Sequence, residues 1–575
     1  MPEYLAPGVY VEETSFRSKS IEGVGTSTTG FVGPTLKGPY EGTPELVTNF
    51  SEFQRLYGGV DALQYGDKAV VNYLAHSVAA YFNEGGARLY IARVFQKDGD
   101  KDGHAQSDDL LAADAKELRF RARFPGAVGN GTATLRQLLS PATKKTLGRA
   151  PQGTMALIGK DTPVVHIKSG NDWVDKDGTK LKLDEVEDDA PPQEKAEVLT
   201  VLLTLTDRDG QVQEYEDLGL APEHPRWIGN VLAKKPARRA DALRNLYYLK
   251  TTGDPTGFDL YQAFFSTSAT PAPTPINLDA NDGVEPNAAA YQQALESFEK
   301  LEDIFIVAAP GATTLGEAQG IQNALISHAE KRRAYRIAVL DTPPETGLND
   351  ARDLRGKFDS THAAMYYPWV VVPNPLARAG NEQIPREITL PPSGFVCGIY
   401  ARNDANRGVF KAPANEVVRG ALRFEADINF AQQEVLNPLG INCLRYLSGR
   451  GYRVWGARTV SSDPEWKYVN VRRYFNYLEA SIDRGTQWAV FEPNGERLWT
   501  NIRETITSFL LSEWTTGALL GKTPEEAFFV RCDRSTMTQN DLDNGRLICL
   551  IGVAVVKPAE FVIFRIGQKT ADSRN

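Results

Sequence analysis

"DIFIVAAPGATTLGEAQGIQNALISHAEKRRAYRIAVLDTPP" (residues 303–344) decides the fold. Two short apolar runs, each closed by proline, flank a segment of helical character. Side chains on a strand alternate faces, so a run such as "IFIVAA" is apolar on both sides. Such a run suits a parallel strand covered above and below. The rhythm continues outward: helix "YQQALESFEKLE" (291–302) precedes it, and helix "NDARDLRGKFDS" (349–360) and strand "AAMYYPWVVVPNP" (363–375) follow. Upstream, "PELVTNF" (44–50) reads as a strand and Ser51 as the cap of "SEFQRLYG". Val70, Val71, Leu74, Val78 and Phe82 then recur at helical spacing before the strand "ARLYIARVF" (87–95).

The fold class expected is therefore α+β multidomain, with 21–95 plus 285–375 forming one α/β layer domain split in sequence. The intervening 96–265 is turn-rich, with short alternating runs and "DKDG" and "DRDG" turns, and reads as a β-rich insertion. Its residues 170–224 hold 16 Asp/Glu against 5 Lys/Arg, which favours a solvated outer face. "TSATPAPTP" marks a linker over 266–284. Residues 376–557 form a C-terminal domain of mixed type. There "YVNVRRYFNYLEASID" (468–483) is an amphipathic helix, "QWAVFEPNGERLW" (487–499) a strand and turn, and Leu498 opens a long helix with Ile502, Ile506, Phe509, Leu510 and Trp514 on its stripe.

Composition is that of an ordinary globular chain: 42% hydrophobic, 24% charged, net charge −9. The acidic balance argues against a general nucleic-acid binder. No run of about 18 apolar residues is present to span a membrane, and the first residues lack the pattern of a secretory signal. Cys397, Cys443, Cys532 and Cys549 have no ligand spacing and read as reduced thiols of a cytosol-made protein. No phosphate-binding loop and no nucleophile elbow occurs. Asp98, Asp100, Asp102 and Asp109 resemble a calcium loop but follow a strand, and a solvated hinge is the better reading. The six histidines read as structural. No catalytic, cofactor-binding or metal residue is assigned.

The unexplained feature is at the ends. "GVYVEE" (8–13) and "KPAEFVIFRIGQKT" (557–570) are strand candidates without local partners, and the second is apolar on nearly both faces. An unpaired apolar strand invites pairing with another molecule's sheet. Val9, Tyr10, Val11 and Glu12 are candidates for one donated strand; Phe561, Val562, Ile563, Phe564, Arg565 and Ile566 for the other.

"YLAPGVYVEE", "TSTTGFVGPTLKGP", "GVFKAPANE", "VWGARTVSSDPEWKYVNVRRYFNYLEASI" and "PEEAFFVRCDRSTMTQNDLDNGRLICLIGVAVVKPAEFVIFRIGQ" resemble the contractile tail sheath proteins of phages and phage-like injection systems. The resemblance is densest over 393–568 and does not extend to 96–265. It implies stacked hexameric rings around an inner tube. Arms 1–20 and 558–575 would be exchanged between copies, and contraction would drive the tube through a target envelope. The α/β portion would have a subtilisin-like shape without its triad, and hence no enzymatic activity. Implied partners are copies of the chain itself, the inner tube protein, and baseplate and terminator or cap proteins, with no nucleic acid and no direct membrane insertion. No cofactor is implied. Synthesis and assembly would be cytoplasmic, the chain then joining a tail or a releasable particle. The C-terminal domain would lie innermost, with Arg503 and Glu504, then Arg472 and Arg473, as candidate tube contacts. The rival readings are a minor paralogous sheath subunit at one end of the particle and a hydrolase using the α/β domain.

Overall fold

The apolar runs around 303–344 form parallel strands whose alternating side chains feed two separate cores. The computed structural model describes residues 20–66, 68–111, 116–159, 163–181, 196–265, 275–378, 380 and 383–565. In it Thr29–Gly33, Leu89–Arg93, Ile306–Ala308, Ile337–Asp341, Ala363–Tyr367 and Ile441–Leu447 pair in parallel. They form the centre of a nine-stranded sheet, with Glu45–Val47 antiparallel at one edge and Gly451–Val454 and Glu416–Val417 at the other. Phe31, Ile306, Ala308, Ile337 and Val339 point to one face, beneath helices Tyr73–Glu84 and Pro392–Arg407. Val32, Val307, Ala338 and Leu340 point to the other, beneath Ala288–Glu296 and Ala318–Ala329.

The sheet does not stop at residue 375, where the sequence reading ends the layer domain. Met365 pairs with Ile441, so the strand "INCLRYL" extends the layer. The crossover is the buried helix Pro392–Arg407. Its Gly394 and Gly398 permit close approach to Tyr73–Glu84: a Cβ on Gly398 would stand 2.6 Å from the Tyr81 carbonyl oxygen. Two local expectations also shift. Asn49 rather than Ser51 caps the first helix, accepting from the Glu52 N–H at 2.8 Å. Gln487–Ala489 form a helical turn instead of a strand, and Phe491 beyond it is fully exposed with φ 69°.

The insertion is β-rich, as its turns imply. Gly131–Ala142 and Ala196–Asp207 pair along their whole length within an eight-stranded sheet. Asp175 and Asp207 each fold a turn by accepting two backbone N–H groups ahead of them. Ile276–Leu278 pairs with Gly131–Ala133, so part of the expected linker is a strand of the insertion. Gln96 and Val284 bridge each other, which brings the insertion's entry and exit together.

The two appendages sit at opposite ends of the parallel strands. At the carboxyl ends, Arg93 donates to the carbonyls of Gly38 and Pro125 at 2.7 Å, and Arg239 of the insertion pairs with Glu45. At the amino ends lies helix Val469–Gly485. Asn476 donates to the Arg336 carbonyl at 3.2 Å and Arg333 pairs with Asp483. The strand ends thus give the molecule a polarity.

Asp341, at the carboxyl end of its strand, accepts from the backbone N–H and hydroxyl of Ser393 at 2.7 and 2.6 Å. Burial pushes its carboxyl up to about 7, although the Ser393 hydrogen bonds pull the other way. A carboxyl raised in the folded state contributes stability that is full below its unfolded value and lost as pH rises through its folded value. Relative to an Asp341→Asn variant, the parent chain should therefore lose about 2–3 kcal/mol between about pH 5 and 7.5. Urea titrations of both proteins at the two pH values measure this difference.

Candidate functional site

The C-terminal module is built on helix Glu496–Thr515, whose Leu498, Ile502, Ile506, Phe509 and Leu510 are buried as the stripe predicts, with Trp499 buried beside them and Trp514 half-buried. Against this stripe packs a two-stranded hairpin, Phe528–Arg531 with Leu550–Val553. Phe528 and Val530 face the helix, while Phe529 and Leu550 are each half exposed on the other side. The Phe529 ring lies over Gly552, where a Cβ would come within 2.2 Å of it. Hairpins of two strands leave both outer edges open. Among the described residues, only the Leu519–Val555 bridge begins to cover either edge.

Beyond the hairpin the chain is tied down once more and then released. Glu560 accepts from Arg458 Nε and Nη2 at 2.8 and 2.6 Å, from Asn437 at 2.8 Å and from Tyr468 at 3.0 Å. Burial opposes the charge on Glu560, but the hydrogen bonds from Arg458 and Asn437 outweigh it and hold the carboxyl below the usual range. Immediately after this clamp, Phe561, Val562, Ile563 and Phe564 are 70%, 67%, 78% and 82% exposed. Four successive large apolar side chains in water are an unpartnered surface. Among the described residues, 561–565 has no strand partner. Ile566 and the other candidate strand, Val9–Glu12, lie outside the described residues.

The other named residues divide sharply. Arg503 is half-buried, with Nη1 3.4 Å from the Cys532 carbonyl, and Glu504 beside it is exposed. Arg472 and Arg473 are 6% and 2% exposed, which leaves them almost no surface for the tube contact expected of them. Arg473 donates to both oxygens of Asp404 and to the Thr26 carbonyl, and stacks 4.7 Å from the Tyr400 ring. Arg472 pairs with Glu479 and lies 4.2 Å from the Trp466 ring. The physical reason is that one side of Val469–Gly485 is enclosed between the strand ends and the C-terminal module, so Arg472 and Arg473 are internal ties.

The carboxylates of the calcium-like stretch also have protein partners: Asp102 pairs with Arg121, and Asp109 accepts the N–H groups of Leu111 and Leu118. Ser393 and Asp341 form a buried pair. Among the described residues no histidine bonds to either, so the pair is a structural tie. The Glu560 clamp escapes a reading of the sequence, because its cations lie about 100 residues upstream.

Replacing Glu560 with alanine removes charge-assisted hydrogen bonds worth about 1.5–3 kcal/mol each. Chymotryptic cleavage after Phe561, next to the released clamp, should speed up about tenfold or more, with little change in the urea midpoint of the remainder. Timed proteolysis followed by mass spectrometry measures the rate.

Residues 285–460 match the profile of the phage tail sheath protein central domain, and 461–569 that of the phage tail sheath C-terminal domain. A prophage major tail sheath protein of Pseudomonas aeruginosa strain UCBPP-PA14 is 27% identical over 268 residues, 45% of this chain and 64% of the relative. The tail sheath protein of Vibrio phage KVP40 is 23% identical over 188 residues, 32% of this chain and 27% of its own length. The chain thus spans less than two thirds of either curated relative. The helical sheath of the anti-feeding prophage in its contracted state shares the fold, with a TM-score of 0.54, 21% identity and coverage of 98% of this chain and 100% of that one.

Proposed function

The chain belongs to the phage tail sheath family, a family of structural proteins, and on that premise we propose that it is the main structural subunit of a contractile sheath. Copies stack as hexameric rings around an inner tube, and shortening of the sheath drives the tube through a target envelope. The observation that carries this reading is the apolar run Phe561–Phe564, released into water directly after the Glu560 clamp.

In this reading the run is a strand held ready for another copy. Donated to the open edge of a neighbour's hairpin, it satisfies its backbone groups and buries its side chains in one step. The segment Val9–Glu12 acts as the second donor. Each copy gives to one neighbour and receives from another, so the contacts are heterologous and propagate as a helical array. The opposed appendages fit the same arrangement: the C-terminal module lies inward, toward the tube, and the insertion outward. Arg503 and Glu504 face the tube through weak, partly ionic contacts. Exposed ion pairs contribute only about 0–1 kcal/mol each, which lets the sheath release its grip. Baseplate and terminator proteins bound the array at its ends. The particle is assembled in the cytoplasm as a phage tail or a phage-like device.

Deleting 561–575, which spares the clamp, should leave a folded chain that forms no sheath. Circular dichroism checks the fold and negative-stain electron microscopy the assembly; normal tubes would overturn strand donation. Since Gln96 and Val284 already meet, joining them by a short Gly-Ser turn in place of 97–283 should preserve assembly. A folded but non-assembling product would count against the outward placement.

A further inference from the structure

Cys532 and Cys549 are far apart in sequence but lie across from each other in the hairpin. The ladder pairs Arg531 with Leu550; one step further, Cys532 stands opposite Cys549. The kind of pair also follows from the backbone. The Ala554 N–H donates to the Ala527 carbonyl at 2.8 Å, so Phe528 and Val553 form a pair that exchanges no backbone hydrogen bond. Counting by two, Val530 with Ile551 is of the same kind, and so is Cys532 with Cys549. Cα atoms in such pairs stand about 4.5 Å apart with side chains close together. A disulfide spans Cα separations of about 4.4–6.8 Å.

Both thiols face the same side, into the core under helix Glu496–Thr515. Each lies within hydrogen-bonding reach of the other. They also differ in access: Cys532 is fully buried, while Cys549 is partly exposed. The remaining cysteines, Cys397 and Cys443, are buried in different cores.

We propose that Cys532 and Cys549 are a redox modification site, forming an intrachain disulfide when the protein meets an oxidising medium. The oxidant is a low-molecular-weight disulfide. The Cys549 thiolate attacks one of its sulfurs, forming a mixed disulfide and releasing one small thiolate. The Cys532 thiolate then displaces the second small thiolate from Cys549, closing the Cys532–Cys549 bond. Two protein thiols lose two electrons and two protons in all, and the small disulfide becomes two thiols. Burial raises both protein thiols above their ordinary range, that of Cys549 to about 12, so the exchange is slow at neutral pH. In a reducing cytosol the pair stays open. Once closed, it ties off residues 533–548 and clamps the loop end of the hairpin. The site is read from the hairpin alone; only its consequence, a stiffer acceptor for a donated strand, rests on the sheath reading.

The test uses the purified full chain without assembly, so its failure is separable from failure of the sheath proposal. Incubation with oxidised glutathione, alkylation without reduction and peptide mass spectrometry should find the Cys532 and Cys549 peptides linked and two hydrogens lighter than their sum. Cys397 and Cys443 should react only after unfolding. Oxidation should raise the thermal midpoint of the parent chain and leave that of Cys549→Ser unchanged; a Cys532→Ala chain should stop at the mixed disulfide. Glutathione retained on Cys549 of the folded parent, or linkage that appears only after unfolding, would overturn the proposal.

Discussion

Six parallel strands apolar on both sides impose the constraint on which the rest of this molecule depends. Each strand must be covered above and below, because neither face tolerates water. Helices Tyr73–Glu84 and Pro392–Arg407 take one face, and Ala288–Glu296 and Ala318–Ala329 the other. With both faces occupied, further modules attach at the ends of the strands, while single strands extend the lateral edges. The β-rich insertion occupies the carboxyl ends and the C-terminal module the amino ends. The inside and outside of the proposed assembly thus follow from the layer's direction and need no special signal.

The amino-end seam is held by buried charge. Arg473 and Asp404 are both nearly excluded from water, and Arg336 donates to the carbonyls of Ile304 and Phe298 beneath the strand starts. A buried ion pair loses hydration worth several kcal/mol per ion, and repays it only when geometry and extra hydrogen bonds are good. Here they are: Arg473 has both carboxylate oxygens, the Thr26 carbonyl and an aromatic face. Such a seam adds little net stability over an apolar one, but it is intolerant of slippage. That suits the proposed sheath subunit, which would move as a rigid body while its arms bend.

The legible part of the fold was the part governed by local periodicity. "IFIVAA" and "RIAVLD" announce buried parallel strands, and "DKDG" and "DRDG" announce turns, because a few adjacent residues carry the whole cause. The apolar excess of "EFVIF" was equally plain, since nothing nearby could cover it. What stayed hidden depends on distant partners. Arg472 and Arg473 look like surface cations until the strand ends close over their helix. The strand Ile441–Leu447 looks like a separate domain until the crossover helix returns it beside Ala363–Tyr367. Glu560 is unremarkable until Arg458, Asn437 and Tyr468 converge on it. Cysteines in positions 532 and 549 acquire a relation only through hairpin register.

The Glu560 clamp also limits what kind of motion a sheath built from this chain can make. A strand donated as proposed would begin at Phe561, the very next residue, so there is no slack between anchor and strand. One residue of extended chain spans only about 3.3–3.6 Å. A neighbour that slid away by a full strand spacing, about 4.8 Å, would pull the strand from its edge or Glu560 from Arg458. Rotation about the backbone dihedrals of the anchoring residues costs no length. A sheath tethered in this way shortens by swinging rigid subunits about fixed pivots, because stretching its connections would break them first.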